Sequence, residues 1–260
     1  MDGLLINSED IVTLCTNRLL DKYGRPAFTR SIRVQLMGIP DSTNGDIFHN
    51  WAKLPISREQ FAQELREQMQ VQFQSCEPLP GADKLLSDLS HAQNSSGDKI
   101  KLALASSSKS HSFNLKTSRP ETKKLLDFFQ PKQRILGDDA RVRQGRGKPA
   151  PDIYLVALQS LNSAADAEET IMPDECLVFE DSVVGVEAGR RAGMRVVWVP
   201  HQDVAAEYGN KQKQVLAGRV GTNALGDDLQ LGEVDDGWAE SISSLENFDY
   251  RKYGIKVLDK

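Results

Sequence analysis

Cysteine is scarce in this chain of 260 residues. Cys15, Cys76 and Cys176 are odd in number and far apart, so they match neither a disulfide framework nor the spacing of a zinc site. We expect them to be reduced thiols in an apolar core, since free cysteine packs as a small hydrophobic residue. A chain of this length can bury a sizeable core without covalent or metal crosslinks.

The chain also lacks a long apolar run and an excess of positive charge. No stretch approaches the roughly 20 apolar residues of a membrane-spanning helix, and the first residues lack the pattern of a signal peptide. The net charge of −5 gives no electrostatic support for nucleic-acid binding. We therefore expect a cytoplasmic monomer whose partners include neither a membrane nor a nucleic acid.

A block without strand patterns occupies residues 11–80. Ser57 and Gln60 have the spacing of a capping box, which predicts a helix start at this point. Apolar residues then recur at every fourth position and predict one buried helical stripe: Phe61, Leu65, Met69 and Phe73. The pattern predicts an all-helical unit that ends near the helix-breaking prolines and glycine of Pro78 to Gly81.

From residue 81 onward, short apolar strands alternate with helices. The predicted strands are Ile100–Ala105, Arg134–Leu136, Cys176–Phe179 and Arg195–Pro200. This alternation predicts an α/β fold with a doubly wound parallel sheet, in which residues 1–10 and 81–260 form the core and residues 11–80 an insert. Residues 202–237 are polar and acidic without a sustained period, and we expect a flexible loop there.

The most informative stretch is Val178 to Gly193, in which two acids separate a strand from a helix. Glu180 and Asp181 directly follow the apolar strand, and Ser182 can cap the helix. Adjacent carboxylates at a strand end suggest a Mg²⁺ site, because this ion takes oxygen ligands. A solvated acidic turn is the alternative. Arg190 and Arg191 are expected on the solvated face of the same helix.

Further functional groups are predicted beside strand ends distant in sequence. Ser106 and Ser107 follow one strand, and Lys148 lies in a proline-rich loop between two others. Parallel strands bring their carboxyl ends to one edge, so these groups should meet Glu180 and Asp181. Hydroxyls, an ammonium and a metal-binding pair together describe a phosphate site. The alternative is that each group merely caps its own helix.

These stretches resemble motifs of the haloacid dehalogenase-like phosphohydrolases, over nearly the whole chain. The resemblance lies in LALASSS at 102–108, GKPAPDIY at 147–154 and LVFEDSVVGVEAGRRAGM at 177–194. A closer similarity, to the pseudouridine-5′-phosphatase branch, lies in LKTSR at 115–119, LGDDARV at 136–142 and SLENF at 244–248. The resemblance implies a Rossmann-like core with a helical cap over the site.

The resemblance also implies roles for individual residues. Asp2 of Met-Asp-Gly-Leu-Leu would be the general acid and base, with its carbonyl as a Mg²⁺ ligand. Ser106 would hold the phosphoryl group, and Lys148 would neutralise charge. Glu180 and Asp181 would hold Mg²⁺. Ser107 is the further candidate for phosphate binding.

The sequence departs from the family pattern at its first residues. In the family an aspartate two positions before the acid and base attacks phosphorus, and that position would precede Met1. We expect the first core strand to be absent from this chain, through a start at an internal methionine or an alternative product. Turnover by the family mechanism is then not expected of the chain as written. The alternative is a catalytically dead phosphate-binding or regulatory protein.

The resemblance implies a small phosphorylated metabolite as substrate and an aspartyl-phosphate intermediate. A nucleoside monophosphate such as pseudouridine 5′-phosphate is the first expectation. Sugar or polyol phosphates are the alternative substrates, and a phosphomutase reaction is less favoured.

Overall fold

The computed structural model describes residues 1–38, 43, 45–163, 170–220 and 231–258. Its helices are α1 (Ser8–Lys22), α2 (Arg30–Leu36), α3 (Asp46–Ala52), α4 (Arg58–Gln72), α5 (Ala82–Ser90), α6 (Ser110–Lys116), α7 (Pro120–Leu126), α8 (Asp152–Asn162), α9 (Val183–Arg191), α10 (Gln202–Tyr208) and α11 (Gln212–Leu216). Its strands are β1 (Ala92–Gln93), β2 (Leu104–Ala105), β3 (Arg134–Ile135), β4 (Leu177–Glu180), β5 (Arg195–Trp198), β6 (Ala239–Ser241) and β7 (Lys256–Val257).

Parallel ladders form the centre of the fold. β5 pairs in parallel with both β4 and β6, and Val196 lies opposite Val178 and Ala239. β2 and β3 form a second parallel pair, whereas β1 and β7 are antiparallel. Val196 and Val197 are both fully buried, which is typical of a strand covered on both faces. The predicted α/β fold with parallel strands and crossover helices is confirmed.

The predicted strand over residues 100–105 is shorter in the structure. Leu104 and Ala105 pair with β3, whereas residues 100–103 carry no strand assignment. An apolar run becomes a strand only where a neighbour accepts its backbone hydrogen bonds. β2 and β4 are not paired with each other in the described ranges. The absence of a first core strand stays a prediction.

Helices α1 to α4 span most of the described residues from 8 to 72, as the sequence predicts. Ser57 caps α4, because its Oγ accepts a hydrogen bond from Gln60 N at 3.1 Å. Phe61 and Leu65 of the predicted stripe are buried and belong to the same core as α1. The exact division into a core and a cap stays a prediction.

The prediction of a flexible loop over residues 202–237 is wrong for its first part. Helices α10 and α11 occupy residues 202–208 and 212–216. Val204 and Val215 are buried, in the same core as α9. The segment is polar on average, so its composition did not indicate the two short apolar faces. Packing against the core stabilises such short helices. Residues 221–230 of this prediction lie outside the described ranges.

The prediction that Arg190 and Arg191 face solvent is also wrong. Both are buried, at 7% and 8% exposure. Arg191 Nε donates to Glu187 Oε1 at 2.9 Å on the same helix, and Arg190 pairs with Asp236. The acid Asp236 lies far along the chain, so the sequence pattern of α9 alone did not reveal it.

The structure also describes the state of the cysteines and the length of the apolar helices. The three cysteines are free, and Cys15 and Cys76 are buried. Burial raises the pKa of Cys76 to about 12, which keeps it a neutral core thiol. Among the helices described, none is long and apolar enough to cross a membrane.

Candidate active site

Polar side chains meet at the carboxyl ends of β2 and β4. Ser106 directly follows β2, Glu180 is the last residue of β4, and Asp181 follows it. Lys148 joins the two strand ends, because its Nζ donates to the Ala105 carbonyl at 3.3 Å and contacts the Glu180 carboxylate. The strand ends therefore converge on one edge, as parallel strands require.

The Asp2 carboxylate accepts hydrogen bonds on both oxygens. Oδ1 accepts from Ser8 Oγ at 2.7 Å and from Lys116 Nζ at 2.6 Å. Oδ2 accepts from Ser108 Oγ at 2.9 Å and from Ser106 Oγ at 3.2 Å. Burial by itself raises the pKa of Asp2, but the Lys116 ammonium, the N-terminal ammonium and the hydrogen bonds from Lys116 and Ser8 together outweigh burial, so the pKa lies well below its usual range. Asp2 is therefore an ionised, oriented carboxylate in this structure.

The Glu180 carboxylate is surrounded by donors. Lys148 Nζ and the Tyr154 hydroxyl both donate to Oε1, and Ser182 donates to Oε2 from its N–H at 3.3 Å and its Oγ at 3.1 Å. Burial raises the pKa of Glu180, but the Lys148 ammonium and its hydrogen bond bring it below the usual value. Glu180 and Lys148 thus form a buried ion pair, with side-chain exposures of 6% and 8%.

Asp181 is a buried acid whose carboxyl group forms no salt bridge in the described ranges. Burial, then Glu180, then Glu9 hold its pKa well above the usual range. The backbone of Gly3 lies directly against it, since a Cβ at Gly3 would be 2.3 Å from Asp181 Oδ2. Gly3 also has a φ of +64°, which glycine adopts without strain.

The oxygen atoms of these acids fit Mg²⁺ as ligands. Asp181 offers carboxyl oxygens that no salt bridge in the described ranges engages, and Asp2 could add its carbonyl oxygen. Glu180 is less available, because Lys148, Tyr154 and Ser182 already engage both of its oxygens. No group of three His, Cys, Asp or Glu side chains in the described ranges is arranged to hold a metal. Mg²⁺ does not require such a group, since one or two carboxylates usually suffice.

The structure brings most of the predicted site residues together. Asp2 contacts Ser106, and Lys148 contacts Glu180 beside Asp181. Ser107 differs: in the part of the chain described here, its side chain forms no hydrogen bond with those residues. Its carbonyl instead lies so close to Gly137 that a Cβ there would be 2.2 Å away.

Three contacting residues escaped the sequence reasoning, namely Lys116, Ser108 and Tyr154. Lys116 lies in the LKTSR stretch at 115–119, but nothing in that stretch indicated that its ammonium reaches Asp2. Ser108 belongs to that run but has no special spacing. Tyr154 lies within the GKPAPDIY stretch, where its hydroxyl gave no sign of reaching Glu180.

Stability in the absence of Mg²⁺ should fall as the pH rises through the titration of Glu9. Burial and the Asp2 carboxylate raise the pKa of Glu9 from 4.5 to about 7. The folded state therefore holds this proton more tightly than the unfolded state. The resulting stabilisation is complete below pH 4.5 and is lost by about pH 7.

Glu9→Gln should remove this contribution, which urea unfolding at pH 5 and pH 7.5 in EDTA would measure. Raising the pH should lower the unfolding free energy of the wild type more than that of Glu9→Gln. Glu67→Gln is the matched control, because Glu67 is exposed on α4. Equal pH dependence in the wild type and Glu9→Gln would contradict the assignment.

Comparison with known proteins places this geometry in a family. The model for "Haloacid dehalogenase-like hydrolase" matches residues 1–199. A probable pseudouridine-5′-phosphatase of Saccharomyces cerevisiae is 35% identical over 255 residues, which cover 98% of this chain and 94% of the relative. A mitochondrial (DL)-glycerol-3-phosphatase of Arabidopsis thaliana is 32% identical over 220 residues, covering 84% of this chain and 67% of the relative.

A solved structure supports the fold. The crystal structure of a HAD hydrolase of family IA, variant 3, from Entamoeba histolytica superposes with a TM-score of 0.64 at 18% identity. The match covers 97% of this chain and 94% of that structure. At this identity the likeness concerns the fold alone, whereas the family model and the two relatives rest on sequence. This chain belongs to the haloacid dehalogenase-like hydrolases.

Proposed function

We propose that this protein is a Mg²⁺-dependent phosphomonoesterase that acts on a small phosphorylated metabolite. The observation that carries the proposal is the arrangement at the ends of β2 and β4. There an oriented carboxylate at Asp2, the Ser106 hydroxyl and the buried Lys148–Glu180 pair share one edge of the sheet. Such a set can bind a phosphoryl group, neutralise its charge and move a proton to the leaving oxygen.

Each residue has a distinct task in this reaction. Ser106 donates to a phosphoryl oxygen, and Lys148 supplies positive charge beside it. Asp2, which is ionised in this structure, takes a proton from water in one step and, once protonated, gives a proton to the leaving oxygen in the other. Asp181 and the Asp2 carbonyl, with Glu180 as a less available ligand, would hold Mg²⁺, which would supply further positive charge for the phosphoryl oxygens. In the family the attacking aspartate occupies a position that would precede Met1, and we assign no attacking residue within this sequence.

The structure contains a cavity beside Asp181 that could accommodate an organic leaving group. It measures about 250 Å³ and lies next to Asp181 and Ser182. Its walls are mainly apolar and come from the helical block and from α9 and α10: Val34, Met37, Ile47, Val183, Val184, Val204 and Tyr208. Such walls suit a nucleobase better than a polyol, so a nucleoside monophosphate such as pseudouridine 5′-phosphate is our first substrate. The yeast relative's name favours the same choice.

Polyol and sugar phosphates form the second candidate class. The similarity to a glycerol-3-phosphatase favours this class, and a small polyol would also fit the cavity. Phosphate release from a panel of nucleoside monophosphates, glycerol 3-phosphate and sugar phosphates decides between them. A preference for the nucleotides would support our first substrate.

The test of the reaction compares this chain with a form extended at its N-terminus by an apolar strand that ends in aspartate. We expect Mg²⁺-dependent phosphate release by the extended form, and its loss on Asp181→Asn. Equal release by both forms would mean that a residue within this sequence attacks. If neither folded form releases phosphate but both bind it, the protein is a phosphate-binding protein and the proposal fails.

A further inference from the structure

Lys116 is the cation that contacts Asp2. It is the last residue of α6, and its side chain is only 9% exposed. Its Nζ donates to Asp2 Oδ1 at 2.6 Å and to Ser108 Oγ at 2.9 Å. Lys148, which the motif singled out, instead contacts Glu180. The edge of the sheet therefore contains two ion pairs, Lys116–Asp2 and Lys148–Glu180.

The surroundings of the Lys116 ammonium hold it in place. It lies 4.6 Å from the centroid of the Phe73 ring, a distance typical of a cation–π contact. Phe73 is 4% exposed and begins the short turn Phe73–Ser75 at the end of α4. The ammonium thus connects Asp2 to Phe73, the last residue of the predicted apolar stripe.

The hydrogen bonds of Lys116 also fix the direction of a neighbouring hydroxyl. An ammonium can only donate, so Ser108 Oγ must accept from Lys116. The single hydrogen of Ser108 is then free to point at Asp2 Oδ2, 2.9 Å away. Lys116, Ser108 and Asp2 form a closed triangle in which both carboxylate oxygens are held. Without the ammonium, Ser108 could turn its hydroxyl away from Asp2.

We propose that Lys116 is a positioning residue that orients the Asp2 carboxylate, directly through Oδ1 and through Ser108 at Oδ2. Its catalytic meaning rests on the function proposed above, in which Asp2 transfers the proton. Lys116 itself need not touch the substrate.

The contact can be tested without turnover by nitrogen-15 NMR of the lysine ammonium groups. Exposed ammonium protons exchange rapidly with water, whereas a buried and hydrogen-bonded group should give a protected signal. We expect one signal that disappears in Lys116→Met and shifts in Asp2→Asn. It should stay unchanged in Lys123→Met, which removes an exposed lysine of α7. A missing Lys116 signal, or one that Asp2→Asn leaves unchanged, would overturn the proposal.

A double-mutant cycle measures the strength of the coupling. The effects of Lys116→Met and Asp2→Asn on the unfolding equilibrium constant should be non-additive by about tenfold, since contacting residues couple to this extent. Independent, multiplicative effects would contradict the proposed contact. The cycle uses urea unfolding, so it does not depend on finding the substrate.

A kinetic readout separates positioning from a purely structural role. In a form that releases phosphate, Lys116→Met should lower kcat by about tenfold to a hundredfold and change KM little, because small misplacements of a catalytic group cost this much. An unchanged kcat in a folded variant would overturn the positioning role. If the NMR and stability results hold but the unaltered protein releases no phosphate, the proposed function fails while the Lys116–Asp2 contact stands.

Discussion

Replacing Lys148 with methionine is expected to lower the unfolding free energy by about 3–5 kcal/mol. The reason is Glu180, which would remain as a carboxylate only 6% exposed after its ammonium partner is removed. An uncompensated charge in such a place is costly, and the remaining donors, Tyr154 and Ser182, are neutral. Removing the positive charge should raise the pKa of Glu180, so part of the loss will be recovered by protonation at acidic pH.

Denaturant unfolding at pH 7 and pH 5 measures both effects. Lys213→Met is the matched control, because Lys213 pairs with Asp235 at the surface, with exposures of 67% and 63%. That substitution should cost less than about 1 kcal/mol. The double variant Lys148→Met/Glu180→Gln should be more stable than Lys148→Met, since it removes the unpaired charge. A cost in Lys148→Met as small as that of the control would show that Glu180 is not charged and buried as described.

Gly185→Ala should destabilise the protein by about 1–3 kcal/mol, the usual cost of overpacking. In an ordinary helix this exchange is favourable, because alanine has the higher helix propensity. Gly185 of α9 is different, since a Cβ there would lie 2.1 Å from the carboxyl carbon of Glu180. The added methyl must displace a carboxylate that is already paired with Lys148. We expect the clash to reverse the sign of the substitution.

Gly209→Ala is the control for this experiment. Gly209 has helical φ and ψ of −54° and −42°, and a Cβ there meets no heavy atom within 4 Å. It should stabilise the protein by about 0.4–1 kcal/mol by restricting the unfolded chain. Thermal or urea unfolding of both variants measures the sign of each stability change. If both glycines respond alike, the close approach at Gly185 is absent.

Local sequence signals predicted the parts of the site that lie on regular elements. The apolar strand before Glu180 and Asp181, with Ser182 as the helix cap, appears as predicted because strand, acids and cap are contiguous. The convergence with Ser106 followed from the topology of parallel strands. These inferences needed only the periodicity of the chain and one rule about sheet edges.

Contacts between distant residues could not be predicted in the same way. The partner of Lys116 is Asp2, 114 positions away, and no pattern within α6 indicates it. Arg190 similarly pairs with Asp236 across the fold. Side chains of this kind read as surface charges in a linear pattern, and only tertiary packing reveals that they are buried and paired.

The average composition of a segment also concealed its structure. Residues 202–216 form α10 and α11 even though the surrounding segment is polar and acidic. Each helix has one buried valine, Val204 or Val215, and one partly buried apolar residue, Tyr208 or Leu216, which is too little for a periodic signal. Such short helices depend on the core that they cover, and that core is assembled from other parts of the chain.

The most direct test of this account is Mg²⁺-dependent phosphate release from pseudouridine 5′-phosphate. It compares this chain, the form extended by an apolar strand ending in aspartate, and the extended form with Asp181→Asn. We expect release by the extended form with Mg²⁺ and none after chelation or with Asp181→Asn. Release that is indifferent to both Mg²⁺ and Asp181 would contradict the proposed site.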